Sequence, residues 1–212
     1  MTSIYLIRHG QTAWNKEEIF RGKTDIPLDE TGLRQATVAA KYFEGVRCQA
    51  IYSSPLQRAW QTAQKIAETL GLEVTPLPGI TDMSFGTWEG QALKDVQRDD
   101  HERYEQWKKA PHKVKLPNGE TLDEVRDRAM TALGEVIKKH GDETVILVSH
   151  RVINKVLLCA ILGLDNSHFW QVSQDPTAIN LIQYRNGNYI LALMNESCHL
   201  RALSHDRARI DF

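Results

Sequence analysis

The chain has 212 residues, 42% of them hydrophobic and 25% charged, which suits one ordinary globular domain or one domain carrying an insertion. A net charge of −1 leaves no global field to attract nucleic acid or an anionic membrane surface, so any anion site has to be built locally. Cys48, Cys159 and Cys198 are odd in number and lack C-x-x-C spacing, which speaks against a disulfide framework and a thiolate metal site and for reduced, mostly packed thiols.

In chain order, the apolar run from Ser3 to Ile7 predicts a strand that ends at Arg8-His9-Gly10. No basic segment followed by an apolar stretch precedes it, and the longest apolar run, Val156 to Leu164, is far shorter than the roughly 20 residues of a membrane span. A cytoplasmic address with no membrane partner is expected. A helix is predicted from Glu30 to Glu44, a strand from Ala50 to Ser53, a helix from Pro55 to Leu70 and a strand from Glu73 to Thr75. Residues 79 to 119 are rich in Asp, Glu, Lys, Trp and His with weak periodicity, and read as an insertion of short helices and loops over the active edge of the sheet rather than a second domain.

Thr121-Leu122-Asp123-Glu124 is a capping box that opens a helix running to His140, with an apolar stripe at Leu122, Val125, Ala129, Leu133 and Val136 and Gly141 after the last turn. A strand from Thr144 to Val148, a helix from Val152 to Leu162 and strands at Ala178 to Tyr184 and Tyr189 to Met194 follow, the last two joined by an Asn-Gly turn signal. Short apolar strands alternating with helices predict an α/β three-layer sandwich, a mostly parallel mixed sheet with helices on both faces, as a single domain over residues 1 to 212. The Tyr189 to Met194 edge could pair with a second subunit to give a homodimer, or the C-terminal tail could cover it.

Three strand ends carry the chemistry. The first ends in Arg8-His9, the second leads through Ser53-Ser54-Pro55 to Arg58 in the first turn of a helix, and a third, Val145 to Val148, ends in Ser149-His150. The carboxyl ends of strands are where ligands bind in open α/β sheets. A neutral imidazole can attack phosphorus and carry the phosphoryl group, and guanidinium forks match phosphate oxygens. Neighbouring arginines disfavour imidazolium, which leaves the His9 lone pair free before the anion arrives. The nitrogen that attacks depends on what the other one donates to, expected to be a backbone carbonyl near Gly10. An isolated Arg-His pair would more simply be a turn cap and a surface ion pair; the repetition at three strand ends overturns that reading.

The segments Leu6-Ile7-Arg8-His9-Gly10-Gln11-Thr12 with Asn15, Ser53 to Ala59 with Gln61-Thr62-Ala63, Phe85-Gly86-Thr87-Trp88-Glu89-Gly90 and Val148-Ser149-His150 resemble, in order, the motifs of the histidine phosphatase superfamily, the phosphoglycerate mutase-like group. The resemblance implies that His9 is the phosphorylated nucleophile, that Arg8, Arg58 and His150 hold the phosphoryl group, and that Asn15 adds a side-chain contact. It also places Arg21, Lys23 or Thr24 in the loop lining the substrate side. Ala110 to Val114 and Cys198-His199-Leu200 are similar to a bacterial subgroup that includes metal-independent phosphoserine phosphatases.

Two positions depart from the family pattern. Where the family usually has a glutamate as proton donor, three residues before Phe85, this chain has Asp82, one methylene shorter. Asp82 is read as the acid, against an alternative in which it caps a turn while Glu89 or water moves the proton. Arg151 follows His150 where glycine is common, and either recognises an anionic group such as a carboxylate or is a solvated first-turn residue. His205-Asp206 is discounted as a second catalytic pair because His150 already supplies the histidine. His101, His112, His140, His168, His199 and His205 show no paired metal-ligand spacing, and Trp88, Trp107, Phe169 and Trp170 read as packing or pocket wall.

The expected activity is therefore a cofactor-independent, metal-independent phosphomonoesterase acting on a small phosphorylated metabolite through phosphohistidine on His9. A phosphoglycerate mutase, which returns the group to a second hydroxyl, is the alternative; such mutases carry a longer insertion and a closing basic C-terminal segment, and the shorter chain favours hydrolysis. A non-catalytic phosphate-binding module is a further alternative.

Overall fold

The structure, a computed structural model, describes residues 1–203, so the His205-Asp206 pair lies outside the described residues. Six strands form one sheet: β1 (Thr2–Arg8), β2 (Ala50–Ser53), β3 (Val74–Pro76), β4 (Thr144–Ser149), β5 (Ile179–Arg185) and β6 (Asn188–Glu196), in the order β3-β2-β4-β1-β5-β6. Strands β3, β2, β4 and β1 run parallel, and β5 and β6 add an antiparallel edge. Asn186 and Gly187 both take positive φ, 51° and 82°, as the tight hairpin between β5 and β6 demands.

The central strands are apolar on both faces because both faces are covered. Ile4, Leu6, Val145 and Leu147 point into a core beneath α6 (Leu122–Lys139) and α7 (Arg151–Ile161). Ile7, Ile146 and Val148 point into a second core beneath α2 (Glu30–Tyr42) and α3 (Gln57–Leu70). A short α1 (Ala13–Lys16) follows the first strand, and α4 (Leu93–Asp99) and α5 (His101–Lys109) lie within residues 79–119, where Phe85, Trp88, Tyr104 and Trp107 join the first core. Trp107 contacts the rings of Phe85, Phe169 and Trp170 at centroid distances of 5.6, 5.6 and 5.9 Å, so these aromatics are packing.

The capping box at the start of α6 forms in both directions. Helix boundaries shift by one or two residues from expectation: α2 ends at Tyr42 rather than Glu44, and α7 spans Arg151–Ile161 rather than Val152 to Leu162. Pro55 stays outside α3, because Leu56 is extended and the first amide, from Gln57, is capped at 2.7 Å by Asp25 of a distant loop. Helix α6 ends at Lys139, and the left-handed residue that follows is Asp142 (φ 61°) rather than Gly141. Cys159 is buried and Cys48 half-buried, but Cys198 is exposed, so the packing expected of the thiols holds for two of them. Among the described residues no helix is long and apolar enough to cross a membrane.

Candidate active site

The strand register brings the distant motifs together. Arg8 pairs with Ser149 across β1 and β4, and Ser53 of β2 pairs with Val148. One residue further along each strand stand His9, His150 and Ser54, joined by backbone bonds from His9 N to Ser149 O (2.9 Å) and Ser54 N to Val148 O (3.0 Å). The two imidazoles lie 5.2 Å apart between ring centroids and are fully buried.

The loop after β1 is pinned at successive residues. Gly10 N donates to Thr62 Oγ1 (3.1 Å), Gln11 N to Gln35 Oε1 (2.9 Å) and Thr12 N to Asn15 Oδ1 (2.9 Å). Glycine is needed on both sides of this packing: a Cβ on Gly10 would meet Gly32 O at 2.7 Å, and one on Gly32 would meet Gln11 O at 2.0 Å. His9 Nδ1 sits 2.6 Å from Gly10 O. A carbonyl only accepts, so Nδ1 carries the proton and the lone pair resides on Nε2. This is the carbonyl that sequence reasoning assigned to the task.

Burial pushes His9 well below the usual imidazole range, and the charges of Arg58, His150, Arg8 and Arg21 push in the same direction. His150 is lowered for the same reasons, burial first and then Arg58, Arg21, Arg128 and Arg8. Both rings are thus neutral at pH 7. His150 Nε2 meets Ser54 Oγ at 2.7 Å, and its Nδ1 lies 3.6 Å from Asp82 Oδ2.

Arg58 is fully buried and held by three acceptors: Thr24 O (2.9 Å), Gly22 O (2.7 Å) and Asp82 Oδ2 (3.0 Å). Arg8 donates to Gln174 O. Among the described residues, some donors have no protein acceptor: Arg58 Nε, Asn15 Nδ2, and Nε and Nη1 of Arg21. Buried donors of this kind are what a polyanionic oxygen ligand satisfies.

The remaining candidates separate. Arg21 and Arg151 are buried at 8% and 7% exposure, which ends the reading of Arg151 as a solvated residue. Asp82 is buried too, its Oδ1 accepting from Met83 N at 3.0 Å. Lys23 is exposed and pairs with Glu120 at 3.4 Å, and the backbone carbonyl of Thr24 serves Arg58. Glu89 does not face the imidazoles through any bond; it accepts from Ser84 Oγ (3.0 Å) and Phe85 N (2.9 Å) and so holds the segment after Asp82.

Sequence reasoning missed Arg128, on the flank of the α6 stripe. Its guanidinium donates to the carbonyls of Gly79 (2.9 Å), Thr81 (2.7 Å) and Asp82 (3.1 Å) and pairs with Glu120 (2.8 Å), which fixes the backbone that carries Asp82. Also missed was a buried amide network behind Arg8, in which Asn180 bonds Leu6 O (2.9 Å) and Gln174 (2.8 Å). Nothing in the local pattern marks either. Among the described residues no group of three or more His, Cys, Asp or Glu side chains could hold a metal ion.

The family model for the histidine phosphatase superfamily (branch 1) matches residues 4–197. The chain is 35% identical over 200 residues to phosphoserine phosphatase 1 of Hydrogenobacter thermophilus, which covers 94% of this chain and 95% of that protein. Its fold matches YhfR of Bacillus stearothermophilus with a TM-score of 0.91 at 29% identity, over 94% of this chain and 100% of that one. It also matches a phosphoserine phosphatase mutant from Entamoeba histolytica, solved in complex with phosphoserine, with a TM-score of 0.85 at 30% identity, over 94% and 100% of the two chains. Sequence and fold agree along nearly the whole length, and the chain belongs to the histidine phosphatase superfamily, branch 1.

Proposed function

We propose that the protein is a phosphomonoesterase that transfers the phosphoryl group of a small metabolite to His9 and then to water. The observation that carries this is the setting of His9: its Nδ1 is tied to Gly10 O at 2.6 Å, which leaves the lone pair on Nε2, and the ring stands 5.2 Å from that of His150 within the field of Arg58, Arg8 and Arg21. In the first step Nε2 attacks phosphorus while the ester P–O bond breaks. Arg8, Arg58, His150 and Asn15 hold the equatorial oxygens, where positioning and electrostatics supply most of the catalysis.

The leaving oxygen takes a proton from Asp82. This carboxyl is placed for the task by Arg128 through the backbone and by Arg58, and a dianion that engages Arg58 competes for that partner. In the second step Asp82 accepts a proton from water as water attacks phosphorus, the P–N bond breaks and inorganic phosphate leaves with His9 neutral again. The relatives named phosphoserine phosphatases support a small phosphorylated substrate.

Incubation with 32P-labelled ester followed by rapid quench tests the reading. An acid-labile, base-stable phosphoprotein is expected in the native chain and none in His9→Ala. A native enzyme that releases phosphate with no such species would refute the intermediate, and a requirement for a bisphosphorylated primer would identify a mutase instead.

A further inference from the structure

We propose that His199 is a positioning residue for the nucleophile: its bond to Thr177 holds the turn at residues 175–178 in the shape from which that turn fixes the backbone of Arg8 and His9. The inference rests on the phosphatase reading above, in which His9 attacks phosphorus, and gives a task to a side chain that the catalytic steps leave unused.

The turn Asp175-Pro176-Thr177-Ala178 lies just before β5 and closes through Ala178 N to Asp175 O (3.0 Å). From it Ala178 O accepts from Arg8 N (3.2 Å), Thr177 N donates to His9 O (3.3 Å), and the carbonyl of the preceding Gln174 accepts from the Arg8 guanidinium. On its other side His9 N is tied to Ser149 O at 2.9 Å, so the Thr177 bond secures the opposite end of the same residue.

Conformational preference alone would not place threonine here. Proline at the second position and a positive φ at the third, 53° in Thr177, are the pattern of a type II turn, which favours glycine or asparagine at that third position. A β-branched residue is rare in this region and persists only where its surroundings enforce the conformation. Thr177 is fully buried, and its hydroxyl meets His199 Nε2 at 3.1 Å. His199 stands in the short helix Cys198–Leu203 that follows β6, with the Tyr42 ring of α2 at 6.4 Å between centroids. Burial holds its imidazole below the usual range against the pull of Glu196, so the ring is neutral at pH 7, with one N–H and one lone pair. The same segment braces the start of the turn: Asn195 Oδ1 accepts from Asp175 N (2.7 Å) and Ser197 Oγ donates to Asp175 Oδ2 (3.3 Å). Glycine at position 177 would form the turn without strain but would offer His199 no partner. Threonine gives up that ease for a hydroxyl that ties the segment after β6 to the loop carrying His9.

The test compares single-turnover phosphorylation of His9, and steady-state kcat and KM on p-nitrophenyl phosphate, between the native chain and variants at the two positions. His199→Phe keeps a ring against Tyr42 and Thr177→Val keeps the shape of threonine, but both lose the bond. Each should slow phosphorylation and kcat by about 5- to 10-fold, the effect of one neutral hydrogen bond, with KM changed less than about twofold. The double variant should lose no more than either single one, because both changes remove the same contact. His199→Gln offers an amide to the hydroxyl and should recover most of the rate. In a Thr177→Gly background His199→Phe should be nearly silent, since glycine holds the positive φ unaided. An unchanged kcat in folded His199→Phe, a loss carried by KM alone, or additive losses in the double variant overturn the proposal; if His199→Phe does not fold, Thr177→Val decides. The His9 Nδ1–H resonance in 15N-labelled protein should shift or broaden in His199→Phe and Thr177→Val, and an unmoved resonance overturns the positioning role whether or not the chain is active. A native chain that releases no phosphate overturns the phosphatase reading instead.

Discussion

Replacing Asp82 by asparagine isolates proton transfer from positioning. The side chain keeps its size, and its remaining oxygen can still accept from Arg58 Nη2, now 3.0 Å from Asp82 Oδ2. What is lost is the transferable proton. A positioned general acid contributes about 10²- to 10⁴-fold, or roughly 3 to 5 kcal/mol of transition-state stabilisation. Asp82→Asn should therefore lower kcat on an alkyl ester such as phosphoserine by about 10²-fold or more. On p-nitrophenyl phosphate, whose leaving group needs little protonation, the loss should be under about tenfold. Stability falls as well, because Arg58 is fully buried and exchanges a charged partner for a neutral one. Two carbonyl acceptors remain, so the cost is about 1 to 3 kcal/mol, which at roughly 2 to 4 °C per kcal/mol is readable in a thermal melt. Steady-state rates on both ester classes, measured below the variant's Tm, decide the matter. Equal losses on alkyl and aryl esters would refute the acid role of Asp82 and leave it a structural partner of Arg58.

Acid should destabilise the fold through the two site histidines. Both are pushed below the ordinary imidazole value, so below about pH 6.5 the unfolded chain binds protons that the native chain does not. Stability is then fully present above that pH and falls as pH drops, by up to about 1.4 kcal/mol per unit for each histidine until the native rings protonate. Urea midpoints taken between pH 7 and pH 5 should decline, and a flat profile would contradict the buried neutral pair. Gly32→Ala should cost at least about 1 to 3 kcal/mol and reduce kcat, because its Cβ would sit 2.0 Å from Gln11 O in the loop that carries His9. Gly134→Ala, in helix α6 with open space around it, should stabilise by roughly 0.5 to 1 kcal/mol. Parallel denaturation of the two variants checks the sign of each effect.

Much of this protein follows from local residue order. The apolar strands, the Thr121 to Glu124 capping box, the Asn186-Gly187 hairpin and the Arg8-His9, Arg58 and Ser149-His150 positions depend on neighbours a few residues apart, so periodicity and turn chemistry report them directly. A carbonyl near Gly10 was the expected partner of His9, but which ring nitrogen meets it is set by the orientation of the ring in the fold. Other features exist only once β1, β2 and β4 lie side by side. Asp82 meets Arg58 across 24 positions and Arg128 holds the Asp82 carbonyl across 46, distances over which a single sequence carries no pattern. The same holds for the burial of Arg151 against Trp170 and for the diversion of Lys23 to Glu120. Composition and spacing thus determined which groups could do chemistry and at which strand ends. Tertiary packing decided which of them are dry, which already have acceptors and which keep donors to spare, because desolvation and hydrogen-bond satisfaction are properties of the assembled cleft rather than of any segment.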